Sequence, residues 1–156
     1  MSVPFDGAQR IDAALSVARR VRDPRDPLGI EARARLLPTS GLSREGLELA
    51  LTEHLETDAS PAERERLLAW ARDGVGPSAR CHVVLSANVV TAALRAIVLG
   101  LVSAPEVRVK PSRREPALAP LLVAEIAPLL SSGELALVDS LDVAPGDQVH
   151  AYGRDE

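Results

Sequence analysis

Aromatic side chains are almost absent from this chain of 156 residues, which contains only Phe5, Trp70 and Tyr152. Its interior must therefore be built from Ala, Val, Leu and Ile. Hydrophobic residues make up 46% of the sequence, which excludes a disordered chain because enough apolar surface is available to offset the entropy lost on ordering. Cysteine occurs once, as Cys81, so the chain cannot form an internal disulfide and has too few thiols for a zinc cluster.

Lysine is nearly missing as well, since 17 of the 18 basic residues are arginine and only Lys110 is lysine. The 22 acidic residues leave a formal net charge of −4, without the positive excess typical of nucleic-acid-binding proteins. Arg95 and Pro105 interrupt the longest apolar stretch, which stays short of the roughly 18–20 residues that a membrane span requires. We therefore expect a soluble, cytoplasmic protein with no nucleic-acid partner and no membrane span.

Residues 1–80 have the spacing of helices joined by polar, proline-containing links. Apolar residues recur every three or four positions from residue 11 to residue 21, and the Asp-Pro steps at 23–24 and 26–27 end this helix. The clearest helix start is Ser60-Pro61-Ala62-Glu63, which matches a capping box with proline at the first helical position. No catalytic grouping is found here, so we predict a helical N-terminal region that packs against the rest of the chain.

Residues 81–156 instead alternate between short β-branched runs and helical segments. Strands of this kind, separated by helices of ten or more residues, pair in parallel through right-handed crossovers. The pattern predicts the first part of a doubly wound α/β domain, truncated at its C-terminal side. The predicted strands are 82–86, 106–110, 135–138 and 148–152, and the predicted helices are 90–101 and 116–130.

Polar residues follow three of the predicted strands, at the edge where α/β proteins bind ligands. These residues are Ser86-Ala87-Asn88, Lys110-Pro111-Ser112 and Gly153-Arg154. An amide, a cation and a glycine turn suit a phosphorylated or nucleotide ligand, although the usual phosphate-binding glycine motifs are absent. The three histidines stand singly, so no metal site is expected, and no nucleophile with an adjacent base can be assembled.

A family resemblance rests on four segments in series: H-V-V-L-S-A-N-V-V, A-L-R-A-I-V-L-G, V-R-V-K-P-S-R-R-E-P and V-H-A-Y-G-R-D-E. Their order and spacing resemble the first part of the cofactor-binding domain of the aldehyde dehydrogenase superfamily, in particular the acyl-CoA reductases of the bacterial luminescence type. The resemblance covers about half of the chain, residues 82–156. Residues 36–80 resemble the lead-in of those reductases less specifically. The implied fold is Rossmann-like, of the aldehyde dehydrogenase type.

The resemblance assigns roles to individual residues. Asn88 matches the catalytic asparagine whose amide stabilises the oxyanion of a thiohemiacetal, a donor aimed at developing charge. Lys110 matches the lysine that contacts the adenosine ribose of the nicotinamide cofactor. Gly153 matches the glycine that opens the turn beside the cofactor. Two of these positions also have an ordinary structural explanation: Asn88 as a turn or helix-cap asparagine and Lys110 as a solvated strand-end lysine.

The chain departs from the family pattern at Arg113, where NAD-preferring relatives carry a glutamate that bonds the ribose hydroxyls. A carboxylate there would repel a 2′-phosphate, whereas a guanidinium can bind it in a bidentate way. We therefore expect NADPH as the cofactor, with Ser112 and Arg113 near the 2′-phosphate and NADH as the alternative. A second departure is Ala87-Asn88-Val89-Val90, where relatives often carry glycine before the asparagine and proline two residues after it.

Taken together, the resemblance implies the N-terminal portion of an NADPH-dependent acyl-CoA reductase. The full enzyme would transfer an acyl group from CoA to a cysteine and reduce the thioester to an aldehyde, acting as a homo-oligomer. The matching cysteine lies downstream in the family, so Cys81 cannot fill that role and the chain alone should be inactive. The alternative from the residues alone is a self-contained, non-catalytic nucleotide-binding or partner-docking module.

Overall fold

The computed structural model of the chain describes residues 5–73, 78–86 and 89–153. A π-helical turn, Ala50–His54, extends the third helix, and a 3-10 turn, Ala127–Leu129, follows the sixth. The α-helices described are α1 (Gly7–Arg22), α2 (Pro27–Leu36), α3 (Arg44–Leu49), α4 (Pro61–Asp73), α5 (Ala92–Ser103) and α6 (Leu118–Ile126). The strands described are β1 (Arg80–Val84), β2 (Glu106–Lys110), β3 (Leu135–Leu137) and β4 (Gln148–Ala151).

The four strands form one parallel sheet in the order β3-β2-β1-β4. The central pair, β1 and β2, aligns Arg80 with Glu106 and Val84 with Lys110. From β1 the chain moves through β2 to β3 in one direction, and β4 then adds on the opposite side of β1. The direction of winding therefore reverses between β1 and β4.

Helix α5 packs closely on one face of the sheet. A Cβ atom at Gly100 would lie 2.8 Å from Val83 Cγ2 and 3.1 Å from Val107 Cγ1, so glycine allows the helix to approach the strands. Cys81, Val83 and Val107 therefore project toward the helices. Helix α1 packs on α5 and α6, and α2 packs on α1 and α6, so the N-terminal helices form an outer layer over this face. One continuous cluster of buried aliphatic residues from both regions fills the interior.

Side chains alternate along a strand, so Arg80 and His82 project from the opposite face of the sheet. Segment 138–147 connects β3 to β4 without a helix. A right-handed crossover that returns past β2 and β1 must run over this second face. Its last residue, Asp147, meets His82 there, with Oδ2 2.9 Å from His82 Nε2. The segment is thus anchored to the central strand.

The expected α/β class with a parallel sheet is confirmed. Strand β2 has its predicted bounds, whereas β1 begins and ends two residues earlier than predicted. Helix α2 was not predicted, although Asp26 caps it by accepting a hydrogen bond from Leu28 N at 2.8 Å and Pro27 is its first residue. No helix in the described ranges is long and apolar enough to cross a membrane.

The capping box at the start of α4 is confirmed. Ser60 N donates to Glu63 Oε2 at 2.7 Å, and Glu63 N donates to Ser60 Oγ at 3.2 Å. The apolar side of this helix is less buried than its spacing suggests, since no residue of α4 is buried and Trp70 is 49% exposed. Helix α4 therefore packs on α5 only through partly buried side chains.

Candidate functional site

The carboxyl ends of three strands lie side by side at one edge of the sheet. Leu85 N donates to Lys110 O at 3.0 Å, which joins the end of β1 to the end of β2. Tyr152 N donates to Val84 O at 2.9 Å, which joins the end of β4 to β1. Gly153 follows directly, and a Cβ atom there would lie 3.8 Å from Ser86 Cβ. The structure thus brings together the strand ends that the sequence singled out.

This edge contains the point at which the winding direction reverses. The segment that follows β1 leads toward α5 on one face, and the chain reaches β4 on the other side of β1. In open α/β sheets the loops diverge at such a point and leave a crevice, where ligands bind beyond the carboxyl ends of the strands. We therefore place the candidate site, called here the carboxyl-edge site, at Ser86, Lys110, Ser112, Arg113 and Gly153.

Three cations at this edge have no acidic partner in the described part of the chain. Lys110 is half-buried at the end of β2, and Arg113 and Arg114 are exposed in the segment that follows. None of the three forms an ion pair with a described residue, whereas elsewhere Arg20 pairs with Glu125 at 2.9 Å and Arg33 pairs with Glu48 at 2.7 Å. The positive charge at the edge is therefore free to meet an anion.

Glu115, the acidic residue nearest in sequence to these cations, forms its hydrogen bonds with other groups. Its buried carboxylate accepts hydrogen bonds from Ala117 N at 2.9 Å and from Leu118 N at 3.3 Å, at the start of α6. It also accepts one from the Thr39 hydroxyl at 3.2 Å. Glu115 therefore caps α6 and ties it to the segment after α2. Sequence analysis missed this role, although an acidic residue just before a predicted helix was the available signal.

Of two small residues at the carboxyl-edge site, Ser112 shapes the local backbone and Gly153 does not. Ser112 is half-buried, and its hydroxyl accepts a hydrogen bond from Arg114 N at 3.2 Å, which tightens the turn after β2. Gly153 does not have a positive φ, and the space around it would admit a Cβ atom. Neither the backbone nor the packing around Gly153 requires glycine. Its small size would matter only to a ligand that approaches this turn.

Asn88, the predicted oxyanion donor, lies outside the described residues, so its role stays a prediction.

Cys81 is fully buried at the start of β1. Burial and, to a lesser extent, the nearby charge of Asp147 raise the pKa of its thiol to about 12. The thiol is therefore protonated near neutral pH, which excludes Cys81 as an activated nucleophile. Within the described ranges no group of three or more potential ligand side chains could hold a metal ion.

The pair formed by His82 and Asp147 was also missed by sequence analysis, since 65 positions separate the two residues. Both side chains are buried, at 2% and 8% exposure, and the second ring nitrogen of His82 has no hydrogen-bond partner among the described residues. The hydrogen bond from His82 is the main reason why the pKa of Asp147 is lowered. Asp147 directly precedes β4, at the amino end of that strand, so the pair lies away from the carboxyl-edge site.

No family model matches the sequence, and neither a curated protein nor a solved structure is significantly similar to it.

Proposed function

We propose that this chain binds NADPH at the carboxyl-edge site and forms the cofactor-binding portion of an acyl-CoA reductase. The observation that carries the proposal is a cluster of cations without acidic partners, Lys110, Arg113 and Arg114, beside the point where the winding of the sheet reverses. Parallel sheets that bind dinucleotides place their ligand at such a point. The strand order β3-β2-β1-β4 also equals the first four strands of the dinucleotide-binding order, which supports a Rossmann-like fold.

The side chains at this edge fit the adenosine half of a phosphorylated dinucleotide. The Lys110 ammonium can donate to ribose hydroxyls at the end of β2. The Arg113 guanidinium can bind a 2′-phosphate through two parallel hydrogen bonds, with the Ser112 hydroxyl on the same turn. Glu115, the acidic residue next to Arg114 in the sequence, does not compete for the ribose, because both of its oxygens are bonded at the start of α6. These features favour NADPH over NADH.

The reductase part of the proposal rests on the resemblance of residues 82–156 to acyl-CoA reductases. Bound NADPH would supply the hydride that reduces a thioester to an aldehyde. This chain would bind and orient the adenosine half of the cofactor, with Asn88 as the oxyanion donor. Cys81 is buried and protonated, so acyl transfer must use a thiol from another part of the protein.

The cofactor preference is tested by measuring the dissociation constants of NADPH and NADH by calorimetry. We expect Arg113→Glu to weaken NADPH binding about tenfold or more without weakening NADH binding, because only NADPH carries the 2′-phosphate. Lys110→Ala should weaken both nucleotides. Arg25→Glu provides the matched control, since Arg25 is exposed in the turn between α1 and α2 and forms no ion pair with a described residue. Equal affinity for both nucleotides together with an inert Arg113→Glu variant would contradict the preference.

The reductase activity is tested with the protein translated from the whole gene. We expect oxidation of NADPH that depends on added acyl-CoA and is abolished by Asn88→Ala, whereas residues 1–156 alone should bind NADPH without turnover. Nucleotide binding without any acyl-CoA-dependent oxidation in the whole translated protein would overturn the reductase assignment. Such a result would favour the non-catalytic nucleotide-binding module instead.

A further inference from the structure

A cavity of about 510 Å³ opens between α1, α4 and α5. Its volume lies within the range of roughly 300–1,000 Å³ found for small-molecule sites. The described residues that line it come from these helices and from the link before α4, and none belongs to a strand. We call it the helical-layer cavity. Its lining includes Ile11, Leu15, Leu67, Trp70, Leu94 and Val98.

The floor and walls of the cavity are apolar. Ile11 and Leu15 of α1 and Leu94 and Val98 of α5 are buried members of the main core, so the floor is fixed. One wall is the face of α4 that carries Trp70, whose ring is about half exposed. Because α4 contains no buried residue, a ligand in the cavity would supply burial that this helix lacks.

The residues that line the cavity follow one another along α4 and α5. On α4 its lining residues are Glu63, Arg66, Leu67 and Trp70, which share one face over two turns. At a rise of about 1.5 Å per residue these seven steps span roughly 10 Å. A long apolar slot between helices fits an unbranched aliphatic chain better than a compact ring system.

Charged side chains surround the mouth, and the acidic ones have partners. Glu56 is paired with Arg95 at 2.6 Å. Asp58 lies 3.8 Å from the Arg19 guanidinium. Glu63 accepts the Ser60 backbone hydrogen bond of the capping box at 2.7 Å.

Arg66 is the cation at the mouth that forms no ion pair or side-chain hydrogen bond with a described residue. Hydrogen bonds from Ser60 are the main cause of the lowered pKa of Glu63, and the charges of Arg66 and Arg95 add to it. Arg66 lines the cavity, and no described residue uses its guanidinium donors. Such a group can bind a carboxylate in a bidentate way.

We propose that the helical-layer cavity binds a single-chain aliphatic carboxylate, with the chain along the slot between α4 and α5 and the carboxylate on Arg66. The site is separate from the carboxyl-edge site, so either one can fail without the other. Trp70 is the sole tryptophan of the chain and lines the cavity, so its fluorescence reports on occupancy directly.

The test titrates the protein with hexanoate, octanoate, decanoate and dodecanoate below their micelle-forming concentrations. We expect a saturable change in Trp70 fluorescence, with affinity rising about fourfold for each methylene buried until the slot is filled. Hydrogen exchange should slow in α4 on binding. Calorimetry gives an independent measure of each dissociation constant.

Two variants separate the head-group contact from the apolar slot. Arg66→Glu should weaken decanoate binding at least tenfold and leave decanol binding unchanged. Arg72→Glu changes the same residue type on the same helix at a position that lies 3.8 Å from Glu65 and does not line the cavity, and it should alter the binding of neither ligand. Ala59→Phe, which adds a ring at a partly buried lining position, should weaken both ligands, with circular dichroism confirming that the fold is retained.

The proposal is overturned if no chain length gives saturable binding, or if Arg66→Glu and Arg72→Glu behave alike toward decanoate. A change in Trp70 fluorescence with protein concentration alone, accompanied by dimer formation, would show that a second copy of the chain fills the cavity. That result would also overturn the proposal.

Discussion

Arg10 is the most deeply buried charged side chain described, at 2% exposure, and it joins α1 to the end of α5. Its guanidinium donates to the carbonyl oxygens of Leu101 at 2.8 Å and Ala104 at 2.7 Å, and also to that of Pro105. Glu134 lies 3.4 Å away. Burial lowers the pKa of Arg10, and Glu134 opposes that effect. The side chain thus satisfies carbonyls that the helix itself leaves free at its C-terminus.

Arg10→Met should keep much of the side-chain volume but remove all of these donors. We expect the free energy of unfolding to fall by about 3 kcal/mol, because several buried carbonyl groups and Glu134 lose their partner. The free energy is measured by urea denaturation. Arg25→Met, at an exposed arginine without an ion pair to a described residue, should change it by less than about 0.5 kcal/mol. If the two substitutions lowered the free energy of unfolding equally, the hydrogen bonds of Arg10 would not stabilise the fold as proposed.

Single residues were predictable where the signal is local. The buried state of Cys81 follows from its place at the start of an apolar strand, and the Ser60–Glu63 capping box follows from a spacing of three. The His82–Asp147 pair could not be predicted, because no local sequence pattern relates two positions that are 65 residues apart. The exposure of Trp70 could not be predicted, because helical periodicity shows which residues share a face but not how closely that face packs.

At the scale of elements, the contact between α1 and α2 depends on one glycine. A Cβ atom at Gly29 would lie 1.8 Å from the carbonyl oxygen of Asp23 and 2.9 Å from that of Arg20. Both atoms belong to the backbone at the end of α1 and cannot rotate away. The first turn of α2 can therefore lie against α1 only without a side chain at this position.

Gly29→Ala should destabilise the protein even though alanine is the better helix former by about 1 kcal/mol. The clash forces α2 away from α1, and we expect the free energy of unfolding to fall by roughly 1–3 kcal/mol in urea denaturation. Gly46→Ala in α3 is the matched control, because its nearest contact is the Ser43 Oγ at 3.3 Å. A stabilised Gly29→Ala variant would contradict the close contact.

Most elements follow from periodicity and end signals, with shifts of about two residues. Helix α2 is the exception, because the two Asp-Pro steps were interpreted as a stop and not as a cap followed by a first helical proline. The bounds of β2 are sharp because Pro111 follows directly. In β1 the two β-branched residues, Val83 and Val84, are the last paired positions. Arg80 and Cys81 at its start have no strand signal, so composition alone placed the strand too late.

At the scale of the whole molecule, segment 138–147 connects β3 to β4 without a helix, and its last residue, Asp147, anchors it to β1. This carboxylate bonds His82 at 2.9 Å and Ala144 N at 3.0 Å, and the charge of Arg80 acts on it as well. These contacts lower the pKa of Asp147, with the His82 hydrogen bond as the largest cause. They stabilise the ionised form in the folded state.

Because the folded pKa of Asp147 is depressed, its stabilisation is present above the unfolded value of about 4 and is lost as pH falls through the folded value. Asp147→Asn should therefore flatten the fall in stability below about pH 4 and lower stability at neutral pH. Urea denaturation at several pH values measures this slope. Asp142→Asn, in the same segment but at an exposed carboxylate, should retain the slope of the unaltered protein. Identical slopes for the two variants would contradict the anchoring role.

The order of the strands was the least predictable feature of the molecule. Alternating strands and helices indicate parallel pairing, but they do not show on which side of β1 the fourth strand adds. That placement brings Gly153 beside Ser86 at the carboxyl ends of the strands, where the candidate site lies. The residue types of the site were therefore evident from the sequence, whereas their proximity emerged only from the fold.

The proposed nucleotide site is tested most directly by amide NMR spectra of isotope-labelled protein titrated with adenosine 2′,5′-bisphosphate. Binding at the carboxyl-edge site requires saturable shifts at Leu85, Lys110, Ser112 and Gly153, and weaker shifts with adenosine 5′-monophosphate. Arg113→Glu should reduce them. An unchanged spectrum at millimolar nucleotide, or shifts confined to other parts of the chain, would contradict nucleotide binding at this edge of the sheet.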